Sequence, residues 1–208
     1  MSSKQVWDFW APRYHKLWVQ KTSLGPTRKA IIDKFKIHSS AKLEGKTCLD
    51  MGCGVGELIE GLHQVDKTLA FTGVDYSPGM VEIAKKRSIP AQWHCEDVHT
   101  YQPGQQFDFL VNTHSFPYYA DQAGVIERFQ GMTVAGGRIY MAFASVNSLY
   151  DKVCMALVKL TTGTAKYPSV NQFTDMVDGK LRVLSTTLIK EKWYMPSIVL
   201  FELEPIHE

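Results

Sequence analysis

Three glycines at alternate positions, Gly52, Gly54 and Gly56, follow an apolar run containing Asp50 in the stretch "TCLDMGCGVGEL" (47–58). Glycine serves where the backbone must take positive φ or approach a ligand with no Cβ in the way. Three in alternation make a bare floor for close contact with main-chain atoms. Farther along, Asp75 ends the run "FTGVD" and Asp97 closes "HCEDV". Each carboxylate oxygen has two lone pairs to offer. One such acid therefore suits a vicinal pair of hydroxyls, and the other an exocyclic amine. His114, just beyond "FDFLVN", is of the residue type that moves protons near neutral pH. Each residue also has a plainer use: Asp75 as a turn residue before "YSPG", Asp97 as a cap, His114 as a loop histidine bonded to a backbone carbonyl.

The elements that must position these groups follow from the apolar pattern. Candidate strands are "TCLDM" (47–51), "FTGVD" (71–75), "AQWHCE" (91–96), "FDFLVN" (107–112), "GRIYMAFA" (137–144), "RVLSTTLIKEKWY" (182–194) and "SIVLFEL" (197–203). Between the earlier ones, "VGELIEGLHQ", "PGMVEIAKKR" and "QAGVIERFQGMT" carry apolar residues at helical spacing, with Ser77 as an N-cap and Pro78 at the first helical position. That alternation predicts an α/β fold: a doubly wound, seven-stranded, mostly parallel sheet covered by helices. The last two strands are separated only by Met195 and Pro196, too short for a parallel crossover, so the last strand runs antiparallel. Residues 145–180, with "SLYDKVCMALVKL" helical and "TTGTAKYPSV" a loop, form a helical insertion or lid between the fifth and sixth strands. Residues 1–40 form an N-terminal helical cap, and the whole of 1–208 reads as one domain. In the cap, Trp7, Trp10, Tyr14, Leu17 and Trp18 share a helical face that Pro12 interrupts. This face either packs on the helix layer or closes over the strand ends.

In an open parallel sheet, ligands bind outside the carboxyl ends of the strands, beside the first one. The glycines, Asp75 and Asp97 all belong there. A dinucleotide would seat its pyrophosphate on the N-terminus of the next helix, but Glu57 occupies that first turn and repels phosphate. The expected ligand is a nucleoside without phosphates, with Asp75 on the ribose hydroxyls, Asp97 on an amine such as that of adenine, and Val98 against the base.

The totals exclude other partners. The 23 Lys and Arg offset 21 Asp and Glu in 208 residues, with no basic or acidic half, so no long-range field recruits nucleic acid. No apolar run approaches the length of a membrane span, and no secretory signal is apparent at the N-terminus. Cys48, Cys53, Cys95 and Cys154 lack metal or redox spacing. The expectation is a cytoplasmic protein with no metal, no nucleic-acid partner and no membrane insertion; nothing in the sequence fixes an oligomeric state.

The runs "LDMGCGVGEL", "GVDYSPGMVEIAKK", "CEDVHTY", "FDFLV" and "VAGGRIYMAF" resemble, in order, the successive motifs of the class I S-adenosylmethionine-dependent methyltransferases, over about residues 45 to 144. "FWAPRYHKLW" resembles the opening of the small-molecule, ubiquinone/menaquinone-type branch. The resemblance implies S-adenosylmethionine as cofactor, S-adenosylhomocysteine as product and a small-molecule methyl acceptor. It implies a cofactor shell of Tyr14, Asp50, Gly52, Cys53, Gly54, Gly56, Asp75, Tyr76, Met80, Asp97, Val98 and Asn112. Gly52, Gly54 and Gly56 would face the methionine and ribose, Asp50 would order that loop, and Tyr76 and Met80 would flank the adenine. His15 and "NTHSFPYY" depart from the branch pattern on the acceptor side.

A sulfonium methyl is already activated, so the protein mainly aligns acceptor, carbon and sulfur. A base is required only for a protonated acceptor, and the candidates are His114, then His15, Tyr14 and Tyr118. Trp7, Trp10, Trp18, Phe116, Tyr118, Tyr119 and Trp193 are candidates to line an apolar pocket for an aromatic or lipophilic acceptor. Two other functions fit the same loop: a cofactor-binding regulator without turnover, and an NAD(P)-dependent oxidoreductase, which Glu57 and the glycine spacing disfavour.

Overall fold

The computed structural model describes residues 7–8, 10–12, 20–38, 43–162, 165–190 and 195–207. Seven strands form one sheet: β1 (Thr47–Met51), β2 (Ala70–Asp75), β3 (Ala91–Cys95), β4 (Phe107–Thr113), β5 (Thr133–Ala144), β6 (Leu181–Ile189) and β7 (Ile198–Pro205), in the order β3-β2-β1-β4-β5-β7-β6. The pairs β1–β2, β2–β3, β1–β4 and β4–β5 are parallel, whereas β7 runs antiparallel to both β5 and β6. The chain steps outward from β1 to β3 and then returns to lay β4 on the other side of β1. The crossovers therefore diverge between β1 and β4, and a crevice opens at their carboxyl ends.

The helices are α1 (Gly25–His38), α2 (Glu57–Val65), α3 (Pro78–Lys85), α4 (Gln122–Met132), α5 (Leu149–Thr162) and α6 (Val170–Val177), with a π-helical turn at Gln20–Leu24 before α1. Ser77 caps α3 by accepting from Met80 N, and Pro78 opens it, as the sequence pattern requires. Central strands are buried on both faces, which is why they read as near-continuous apolar runs rather than alternating ones. Leu49, Met51, Leu110, Met141 and Phe201 go to one side; Cys48, Phe109, Val111, Tyr140 and Leu200 go to the other, under Ile31 and Phe35 of α1.

Three expectations are revised. β6 begins at Leu181 and ends at Ile189, with Lys190 outside it, and β7 begins at Ile198; the antiparallel pairing holds, with buried Ile189 opposite Ile198 and Thr187 opposite buried Leu200. Of the longer expected run, 191–194 lie outside the described residues. In the insertion, α5 extends to Thr162, and a second helix, α6, follows the loop. It starts with a capping box, in which Ser169 Oγ accepts from Gln172 N and Gln172 Oε1 accepts from Ser169 N. Phe173 of α6 is fully buried, with its ring 4.3 Å from that of Phe201. Finally, β5 begins at Thr133, earlier than expected, across a register irregularity between Phe107 and Phe109 of its neighbour.

Candidate functional site

The turn after β1 is held from two sides. Gly52 N and Cys53 N both donate to Val74 O, at 2.7 and 3.0 Å. The Asp75 carboxylate reaches back from the end of β2, accepting from Gly54 N through Oδ2 and from Ser77 N through Oδ1, each at 2.9 Å. Burial raises the Asp75 pKa; the two backbone bonds oppose this, and the nearby Asp8 adds to it. Gly52 has φ 81°, and a Cβ there would fall 2.3 Å from Ser115 Oγ of the loop after β4. Gly54, at φ 52°, has nothing within 4 Å of a built Cβ, so its bare face opens onto free space. Gly56 instead packs over the Trp93 ring at the start of α2.

That space is a cavity of about 290 Å³, near the lower end for small-molecule sites. Its walls include Gly52, Gly54, Asp75, Tyr76, Met80, Asp97 and Val98 of the sequence-derived shell, together with His114 and Tyr118. The two carboxylates expected to read one nucleoside thus face one crevice. Cys53 lines a smaller adjoining cavity of about 40 Å³, shared with Arg28, Glu57 and His114. Asp50 and Asn112 stand behind the wall. Asn112 Nδ2 lies 2.6 Å from Met51 O, 2.8 Å from Ser115 Oγ and 3.0 Å from Tyr119 Oη, tying the carboxyl ends of β1 and β4 together. Tyr14 and His15 lie outside the described residues, as do Trp18 and Trp193. Phe116 is not a wall residue; it is buried against Phe143 and Phe173.

Asp50 is 1% exposed, and its Oδ1 is sealed from solvent with no hydrogen bond to the described residues. Burial, then the charge of Asp75, pushes its pKa up to about 8. Asp97 is more open. Partial burial acts to raise its pKa, but bonds from His99 N and from the His99 ring, 2.7 Å away, bring it below the usual carboxylate range. The other ring nitrogen of His99, Nε2, is buried beside the cavity without a hydrogen bond to the described residues.

His114 follows β4 with φ 60°, a left-handed backbone that costs a non-glycine residue on the order of 1–3 kcal/mol. Its own amide is held by Ala142 O at 2.7 Å, and its Nε2 meets Thr27 Oγ1 at 2.9 Å. Burial, then the neighbouring Arg28, lowers its pKa to about 4. Arg28 itself pairs with Glu57 at 2.8 Å. Above the cavity, Trp7 meets Tyr118 edge to face with centroids 5.2 Å apart, and Tyr118 Oη lies 3.2 Å from Tyr167 Oη of the 145–180 segment. Asp8 accepts from Ser77 Oγ at 2.6 Å and so ties the N-terminal segment to α3.

Sequence reasoning missed Thr27, Arg28, Glu96, His99 and Ser115. Glu96 and His99 lie within "CEDVHTY" and Ser115 within "NTHSFPYY"; Thr27 and Arg28 reach His114 through the packing of α1, which no local pattern encodes.

The arrangement fits an adenosine carrying a positively charged methionine. The fit rests on the open face at Gly54, two carboxylates on one crevice, and a buried carboxyl oxygen behind the turn with no partner among the described residues. Residues 49–141 match the family described as a methyltransferase domain. The chain is 24% identical over 165 residues to malonyl-[acyl-carrier protein] O-methyltransferase 1 of Ilyobacter polytropus, covering 76% of this chain and 61% of that protein. It is 25% identical over 167 residues to the ubiquinone biosynthesis O-methyltransferase of Coxiella burnetii, covering 73% and 70%. It spans 29% to 61% of the length of three malonyl-[acyl-carrier protein] O-methyltransferases that it matches. Its fold is that of the N-methyltransferase NodS from Bradyrhizobium japonicum, solved with S-adenosyl-L-homocysteine, at TM-score 0.78 and 15% identity over 100% of both chains. In sheet order, in the order of these motifs and in the domain match over residues 49–141, the chain is similar to the class I S-adenosylmethionine-dependent methyltransferases.

Proposed function

We propose that the protein transfers a methyl group from S-adenosylmethionine to a small aromatic or lipophilic acceptor by in-line displacement. The observation that carries this reading is the convergence of Asp75 and Asp97, from two different strand ends, on the cavity floored by Gly52 and Gly54. When bound, the cofactor supplies an electrophilic methyl on a cationic sulfur. Asp75 keeps a free lone pair on each oxygen after holding the glycine turn, which suits it to the ribose hydroxyls. Asp97 and His99 would hold the base edge, Val98 and Met80 would pack on its faces, and Tyr76 would flank it. Asp50 orders the turn and offsets positive charge from behind, while Cys53, Gly56 and Asn112 shape the loop. His114 accepts the acceptor's proton, with Tyr118, Tyr14 and His15 completing the acceptor side.

Trp7, Tyr118 and Tyr119 give the acceptor side an apolar lining, and burial of apolar area is the main driving force for holding a lipophilic molecule. In this reading 1–208 act as one cytoplasmic domain, with segments 1–40 and 145–180 covering the strand ends. Among the described residues no helix is long and apolar enough to cross a membrane.

The test is thermal denaturation with and without cofactor. S-adenosylmethionine at 100 times its dissociation constant should stabilise the fold by about 2.7 kcal/mol. Asp75→Ala should abolish that gain. Incubation with methyl-labelled cofactor and a metabolite extract should then place label in a small molecule; binding without transfer would refute turnover.

A further inference from the structure

Thr27 lies in the first turns of α1, far from every methyltransferase motif, yet it is fully buried and touches the ring of His114. Its hydroxyl has one hydrogen, which goes to Ser23 O at 2.9 Å, the backbone carbonyl one turn earlier. A carbonyl can only accept, so that hydrogen is committed. What Thr27 Oγ1 offers His114 Nε2, 2.9 Å away, is a lone pair, and the contact therefore requires the hydrogen to be on Nε2. A neutral imidazole has one N–H, and burial beside Arg28 keeps this ring neutral across physiological pH. No water can take over the role of Thr27, because the residue has no exposed surface. The His114 ring makes no other hydrogen bond to the described residues.

We propose that Thr27 is a positioning residue that locks His114 in the Nε2–H tautomer, so that His114 presents Nδ1 as a bare acceptor and the enzyme selects acceptors with a hydrogen on the atom to be methylated. This rests on the reading of His114 as the base. A hydroxyl, amine or thiol donates to Nδ1 and is aligned by it; a carboxylate meets lone pair with lone pair and is repelled. In the transfer step the acceptor heteroatom bonds to the methyl carbon as the carbon–sulfur bond breaks, with that electron pair going to sulfur. The heteroatom's proton passes to Nδ1, so the single positive charge moves from sulfur to imidazolium. His114, held with its backbone in the left-handed region, is aimed at both the cavity and Thr27 by the end of β4.

The experiment uses the full chain with 15N-labelled histidine. The His114 ring signals, identified by their loss in His114→Gln, should show a protonated Nε2 and a pyridine-type Nδ1 at pH 7. Thr27→Ser should preserve that pattern, and Thr27→Val should shift the ring toward the Nδ1–H form and lower methyl transfer at least tenfold. A wild-type ring protonated on Nδ1 overturns the proposal even if Thr27→Val does not fold. The labelled products from an extract provide the second arm. Methylated hydroxyls, amines or thiols support the proposal, and methyl esters as the dominant product overturn its acceptor class. Undiminished transfer by His114→Gln overturns the base reading itself, which the tautomer measurement tests separately.

Discussion

Replacing Asp50 with Asn removes a titrating group from the centre of the sheet while keeping its shape and volume. In the wild type, burial and the charge of Asp75 lift the Asp50 pKa from 3.8 to about 8. A raised folded-state pKa contributes stability that is fully present below pH 4 and is lost as the pH climbs through 8, because the folded chain keeps a proton the unfolded chain has released. Integrating the proton difference gives a loss of about 2 kcal/mol between pH 6 and pH 8. For a chain of this length that corresponds to a fall of roughly 4–8 °C in melting temperature. Asp50→Asn cannot lose that proton, so its melting temperature should fall by that much less than the wild type's across the same interval. The assay is paired thermal unfolding of the two proteins, followed by circular dichroism at half-unit pH steps. A cation in the adjoining cavity favours the ionised carboxylate, so saturating S-adenosylmethionine should flatten the wild-type slope and leave that of Asp50→Asn unchanged. Parallel curves for the two proteins, with and without cofactor, would refute the claim that Asp50 is held neutral in the fold.

Gly52→Ala places a Cβ 2.3 Å from Ser115 Oγ at φ 81° and should cost about 2–4 kcal/mol, whereas Gly45→Ala, at φ 80° with open space around it, should cost only about 1 kcal/mol; denaturant titration of the pair measures the difference. If His114 is the base, protonation removes its acceptor nitrogen only as the pH falls through about 4, so turnover should stay level from pH 7.5 to 5.5, and an acid limb near 6.5 would contradict the burial of the ring. Phe173→Ala should destabilise by about 3–5 kcal/mol in chemical denaturation, because its ring is buried against Phe201 and Phe143; a cost under 1 kcal/mol would mean that α6 is not part of the core.

What the sequence by itself determined is local. Alternating apolar runs and helical spacings located every strand of the sheet. The Ser77–Pro78 start of α3 and the glycines after β1 were legible because capping chemistry and positive φ restrict residue type at single positions. Asp75, which ends β2, and Asp97, two residues beyond β3, were legible because the alternation had already set the direction of both strands. The capping box of α6 was equally local but was hidden inside a stretch rich in Thr, Gly and Pro. What only the tertiary structure decided is which distant groups meet. Packing of α1 across the crevice brings Thr27 and Arg28 to His114, and the return of β4 beside β1 brings Ser115 and Asn112 to the glycine turn. Burial then sets the charge states: Asp50 and His114 both sit as neutral groups near pH 7, one with its pKa raised and the other with it lowered. Composition and spacing cannot supply such values, because desolvation depends on everything packed around a group rather than on its neighbours in the chain.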